Sequence, residues 1–247
     1  MGGTDKTFLE HLEVLRSTII SCFAVLVVTY PLGYFLTPLV IKWMIKWCFP
    51  DNLGILHYFG PMDVFALKMQ MALVIALVLG FPWFIYQIWK FLLPALYKNE
   101  RRMLLVGIFF STLLFALGVT FSVTVMLPMA MNFAGSFATT ELQPMLGVRN
   151  FVTLAGWFML AFGVMFQTPA VVLLAVKLGV VTSAQLCDKR PYVLTGILIV
   201  SAILTPPDVI SQLMLAVPTW LLFEGGLKIA SYIEKKSVKP AFKESMN

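Results

Sequence analysis

An all-α integral membrane protein is the predicted fold class, with six transmembrane helices, both termini cytoplasmic and the last two spans short. Three observations predict it. Hydrophobic residues make up 60% of the 247 and the mean hydropathy is +0.89, more apolar surface than a water-soluble domain of this size can hide. Charged residues, only 12% of the chain, separate uncharged runs of the length a bilayer requires, about 20 residues as helix. The cations between those runs gather in alternate loops.

Each element follows from the order of residues. Thr7 and Glu10 stand at capping-box spacing, and Phe8, Leu12 and Leu15 share one face, which predicts an amphipathic helix over residues 1–16. No charge falls between Arg16 and Lys42, the first span. From Pro38 to Phe49, Trp43 pairs with Trp47 and Lys42 with Lys46 at i, i+4, the pattern of a helix lying in the outer interface. Met69–Trp89 is the second span and Met103 to roughly Leu127 the third. A compact outer loop is expected from about Pro128 to Asn150, and the fourth span covers Phe151–Val176.

The last apolar region, Tyr192–Phe223, is divided by Pro206-Pro207-Asp208. Proline removes a backbone donor and clashes with the preceding turn, so two in a row demand a break. Two short helices follow, Tyr192–Leu204 and Val209–Phe223, each about 20 Å long at 1.5 Å per residue. The single domain is thus a helix over 1–16, a six-span bundle over 17–226 and a basic tail over 227–247.

Orientation comes from the cations. Fourteen Lys and Arg fall on the side of the termini, against three (Lys42, Lys46, Arg149) in the opposite loops; both ends are therefore expected in the cytoplasm. Lys68 can snorkel from the outer end of the second span. The pI of about 9.3 is a topology signal, with no hint of nucleic acid. The first span exceeds a signal-peptide core, so no cleavage is expected. Cys22, Cys48 and Cys187 are isolated and supply neither a disulfide framework nor a metal site.

Catalysis is not expected. His11 and His57 are the two histidines, no HExxH or Ser–His pairing fits within the spans, and no glycine-rich phosphate loop is present. No catalytic residue, metal or cofactor is assigned, and any energy must come from a gradient or a partner. A small-solute secondary transporter is the alternative class, because Gln167 lies deep in the fourth span, two residues before Pro169. Its amide either bonds the Met165 carbonyl or a neighbouring helix, or faces a substrate cavity. The stretch from Phe91 to Arg102 combines aromatics, a proline and Glu100 beside Arg101-Arg102. It reads as a loop in which Glu100 caps the third span. It also reads, with Glu10 and Glu13, as acids on a basic face, a receptor for a cationic ligand.

The motifs, taken together and in order, resemble the TatC family, the multispanning receptor subunit of the twin-arginine protein-export system. They are His11-Leu12-x-x-Leu15-Arg16, Phe91-x-x-Pro94-Ala95-Leu96-Tyr97-x-x-Glu100-Arg101-Arg102, and Ala161-Phe162-Gly163 with Pro169. Lys189-Arg190-Pro191-Tyr192 and Leu204-Thr205-Pro206-Pro207-Asp208-x-x-Ser211-Gln212 complete the set, so the likeness covers about Phe8 to Glu224.

The resemblance implies a bacterial or archaeal cytoplasmic-membrane receptor for twin-arginine signal peptides on folded cargo, driven by the proton-motive force. Its implied partners are small single-span subunits of TatA or TatB type, further copies of itself and the lipid bilayer. It implies signal-peptide contacts from Glu100, Phe91, Pro94, Tyr97, Arg16, Glu10 and Glu13. A second implied set, Gln167, Thr205, Gln212 and Asp208, docks a partner's spanning helix, with Asp208 also able to cap the sixth helix. The sequence departs from the family twice. Val14 stands where an acid is usual, with Glu10 one turn away on nearly the same face. Gln167 stands where the family carries Glu, and an amide cannot relay a proton.

Overall fold

The computed structural model describes residues 4–49, 56–58, 60–92, 101–136, 147–204 and 209–244, and all of these segments but residues 56–58 are helical. The helices are α1 (Thr4–Cys48), α2 (Pro61–Leu92), α3 (Arg101–Phe121), α4 (Leu127–Gly135), α5 (Val148–Met165), α6 (Thr168–Lys177), α7 (Ser183–Asp188), α8 (Arg190–Leu204) and α9 (Val209–Glu244). A π-helical segment, Ser122–Met126, joins α3 to α4. Among the described residues, five stretches are long and apolar enough to cross a membrane: 13–48, 62–90, 105–135, 148–177 and 212–234. Arg190–Leu204 is apolar but shorter.

The core forms around α5. Phe151, Val152, Ala155, Phe158, Met159 and Phe162 are buried along it, against Met71, Val74 and Ile75 of α2 and Val123 and Leu127 beyond α3. In a membrane this packing replaces lipid contacts, so small residues decide how closely backbones approach. A Cβ at Gly163 would lie 2.5 Å from the Phe115 ring, and one at Gly118 would lie 2.6 Å from the Phe162 carbonyl oxygen. A second cluster joins α6, α8 and α9 through Val172, Ile197, Ala216, Phe223 and Leu227. There Gly226 brings α9 against Pro169.

Four boundaries differ from the sequence reading. The amphipathic helix, first span and outer interfacial helix are one helix of 45 residues with Pro31 and Pro38 inside it. Thr7 is consequently interior, and the Thr7/Glu10 spacing does not mark a helix start. Near these prolines Thr29 Oγ1 donates to the Val25 carbonyl at 2.9 Å and Thr37 Oγ1 to the Gly33 carbonyl at 2.8 Å. Trp43 and Trp47 do stack, at 6.2 Å between ring centroids.

The outer loop starts later than Pro128, since α4 runs to Gly135. Pro128 sits in its first turn, and the Thr124 carbonyl one turn back accepts from Trp47 Nε1 at 3.1 Å. The final helix is not short. It continues through Phe223 to Glu244 over 36 residues, whereas α8, with 15 residues, spans only about 22 Å. The bundle also passes residue 226, because Leu227 and Ala230 are buried.

Candidate functional site

The pairing of α1 with α2 determines which candidate residues share an end of the molecule. Gly33 is a point of tight contact between them, where a Cβ would collide with the Ala72 carbonyl oxygen. One turn earlier, Thr29 Oγ1 lies 3.2 Å from the Ala76 carbonyl oxygen, which shares the hydroxyl's single proton with the Val25 carbonyl at 2.9 Å. Two turns earlier again, Ser21 Oγ accepts from Gln87 Nε2 at 2.8 Å and from Trp83 Nε1 at 3.0 Å. Each step back along α1 is matched by one forward along α2. Continued at that pitch, the antiparallel register brings Arg16 level with Trp89 and Glu13 level with Leu92.

The side chains of Glu13, Val14 and Arg16 are exposed there. The segment that leaves α2 at Leu92 and enters α3 at Arg101 starts from the same end. Pro94, Tyr97 and Glu100 lie in it, outside the described residues; so do the side chains of Glu10 and Phe91, whose backbones belong to α1 and α2. An exposed carboxylate such as Glu13 can accept the guanidinium group of a cationic segment.

The intramembrane polar residues separate into two places. Gln167 occupies the break between α5 and α6, where the backbone restarts with Pro169 in the first turn. The Met165 carbonyl is taken by Thr168 Oγ1 at 2.6 Å, leaving the Gln167 side chain to reach α3. Its Nε2 donates to the Ser111 carbonyl at 3.0 Å, and Ser111 Oγ accepts from Trp89 Nε1 at 3.3 Å. Of the two hydrogen-bonding readings, the neighbouring helix holds. Gln167 Oε1 is buried and has no partner among the described residues.

Gln212, by contrast, donates Nε2 to the Leu198 carbonyl at 3.0 Å, joining α9 to α8. The two glutamines serve different helix pairs. Thr205 and Asp208 lie outside the described residues.

Two features escape a reading by motif. Arg190 and Glu224 form a two-bond fork, Nε to Oε1 at 2.8 Å and Nη2 to Oε2 at 2.9 Å, fixing the start of α8 to α9. Opposite charges near the ends of two helices joined by a hairpin were the available signal. At the opposite end of the bundle Arg149 meets Asp63 at 3.1 Å, beside the Val148 N–H donating to the His57 carbonyl at 3.1 Å. Among the described residues no group of three His, Cys, Asp or Glu could hold a metal ion.

Comparison with known proteins bears directly on this arrangement. The family model for TatC, Sec-independent protein translocase protein, matches residues 10–218. TatC of Escherichia coli K12 is 34% identical over 226 residues, covering 90% of this chain and 87% of that protein. TatC of Haemophilus influenzae is 35% identical over 181 residues, 73% of this chain and 71% of that protein. TatCy of Bacillus subtilis is 30% identical over 240 residues, with 97% and 94% covered. A crystal structure of the twin-arginine translocase receptor TatC in DDM superposes with a TM-score of 0.81 at 27% identity, covering 89% of this chain and 99% of that one.

Proposed function

The chain belongs to the TatC family of Sec-independent protein translocase proteins, and from that premise we propose that it is the twin-arginine signal-peptide receptor of its export system. It crosses the cytoplasmic membrane six times, α8 being the short fifth span, with both termini in the cytoplasm. Glu100 accepts the arginine pair of the signal peptide, supported by Phe91, Pro94 and Tyr97. Glu10 or Glu13 takes the place of the acid missing at Val14, and Arg16 joins the signal-peptide contacts. Small single-span subunits of TatA or TatB type and further copies of the chain complete the translocase, which runs on the proton-motive force and without catalysis or cofactor. Gln212, Thr205 and Asp208 offer polar contacts to a partner's spanning helix, and Gln167 contributes by fixing α6 to α3.

One observation carries the reading. The α1–α2 register sets the exposed N-terminal acid Glu13 level with the end of α2, from which the Phe91–Glu100 segment departs. Two arginines need at least two acceptors, which Glu13 and Glu100 supply in this reading. Binding of a twin-arginine peptide to the protein in nanodiscs tests it. Glu100→Ala is expected to weaken binding by about 2–5 kcal/mol where the contact is desolvated, and changing the peptide's arginines to lysines to weaken it comparably. Unchanged affinity in a normally inserted Glu100→Ala variant returns Glu100 to a helix-capping role.

A further inference from the structure

Beside the receptor end lies a cavity of about 530 Å³ between α2, α3, α6 and α9, within the usual range for a small-ligand site. Its inner wall is apolar and includes Trp89, Phe110 and Leu174. Gly107 shapes that wall, because a Cβ there would press on the Trp89 indole at 2.7 Å. Its rim faces outward: Val106 is 61% exposed, and Ile229 and Ile233 are 46% each. In a spanning chain such side chains face hydrocarbon, so the cavity opens sideways into the bilayer.

The polar groups on its lining are of opposite sign. Lys177 ends α6 and makes no ion pair among the described residues. Glu234 comes from α9, and its Oε2 accepts from the Ser183 N–H at 3.0 Å. That bond holds the carboxylate in place and leaves Oε1 for another donor. A cation at the end of one wall and an oriented carboxylate on the other, above an apolar slot open to lipid, match a headgroup carrying both charges.

We propose that this cavity binds one glycerophospholipid with a primary-amine headgroup. An acyl chain lies along Trp89 and Phe110, the phosphate meets Lys177 and the ammonium donates to Glu234. The primary amine matters because a carboxylate accepts hydrogen bonds that a quaternary ammonium cannot donate. An anionic headgroup without an amine satisfies Lys177 and leaves Glu234 facing a like charge. The inference needs only that the chain spans a membrane, so it stands or falls apart from signal-peptide recognition.

Native mass spectrometry of the delipidated protein in detergent tests it, with phosphatidylethanolamine, phosphatidylcholine and phosphatidylglycerol of equal chain length. One phosphatidylethanolamine is expected to be retained with roughly fivefold preference over the other two, the size of one partly exposed ion pair. Glu234→Gln should abolish that preference, whereas Lys177→Gln should lower retention of all three lipids, since each carries the phosphate. Val106→Trp, at an exposed rim position that leaves the core intact, should lower retention of all three lipids. Equal retention of the three, a preference that survives Glu234→Gln, or retention unchanged by Lys177→Gln overturns the proposal. A photoreactive group at position 106 in native membranes should label lipid; labelling of a signal peptide with none of lipid overturns it as well.

Discussion

Replacing Gly33 by alanine tests the α1–α2 register at a point of tight contact. The added Cβ collides with the Ala72 carbonyl oxygen and lies 3.2 Å from the Ala76 nitrogen. Both are backbone atoms of a helix, so no rotamer change relieves them and the helices must part by about 1 Å, an overpacking cost of about 1–3 kcal/mol. Parting also stretches the 3.2 Å contact from Thr29 Oγ1 to the Ala76 carbonyl, worth at most about 0.6 kcal/mol in a membrane interior. The expected loss is therefore about 2–4 kcal/mol, and Gly33→Val should exceed it. Gly196 in α8 is the control, because nothing lies within 4 Å of a Cβ there; Gly196→Ala should gain about 0.5–1 kcal/mol from reduced chain freedom. Unfolding in mixed micelles by SDS titration, followed by tryptophan fluorescence, measures both. A Gly33→Ala variant as stable as the parent, alongside a normal Gly196→Ala, refutes the close approach and with it the alignment of Glu13 with Leu92.

Other outcomes follow from single contacts. Gln167→Leu removes the donor to the Ser111 carbonyl and should cost about 1 kcal/mol in the same titration; no loss would show that the bond contributes nothing to stability. A double-mutant cycle on Arg190→Ala and Glu224→Ala should give a coupling of at most about 1 kcal/mol, because the two side chains are 45% and 22% exposed and screened by solvent. Additive effects would show that the fork leaves α8 unanchored. In a variant lacking the native cysteines, single cysteines at Lys98 and Lys239 should label from the cytoplasm and those at Asn52 and Gln143 from outside; external labelling at position 98 reverses the proposed orientation.

What could be read from the chain was whatever depends on local runs. The uncharged stretches 69–89 and 151–176 fall inside apolar helical stretches, and 103–127 all but its first two residues, because lipid excludes charge residue by residue. The end of α9 was not legible. Glu224 looks like a stop signal until Arg190 is seen to neutralise it, and Glu234 until the Ser183 N–H is seen to bond it. Those partners arrive from the α7–α8 hairpin, which no window around Phe223 contains. Pro38 misled as well, marking the start of a separate interfacial helix where α1 in fact runs on unbroken. The partner of Gln167 turned on a competitor, Thr168, whose hydroxyl claims the Met165 carbonyl first. The alignment of Glu13 with Leu92 depends on Gly33 meeting Ala72 across the bundle, a long-range fact with no sequence period.

A helix of 45 residues is about 67 Å long, more than twice the hydrocarbon thickness. With a tight contact at Gly33, α1 is a lever with a fulcrum inside the membrane. The arm to Glu13 is about 30 Å and the arm to Cys48 about 22 Å at 1.5 Å per residue. A tilt of about 10° about Gly33 would carry Glu13 some 5 Å sideways and move the Trp43–Trp47 stack the opposite way through the far interface. A pull that tilted α1 as a rigid body would thus be felt at the Trp43–Trp47 stack, with no change in any loop between them.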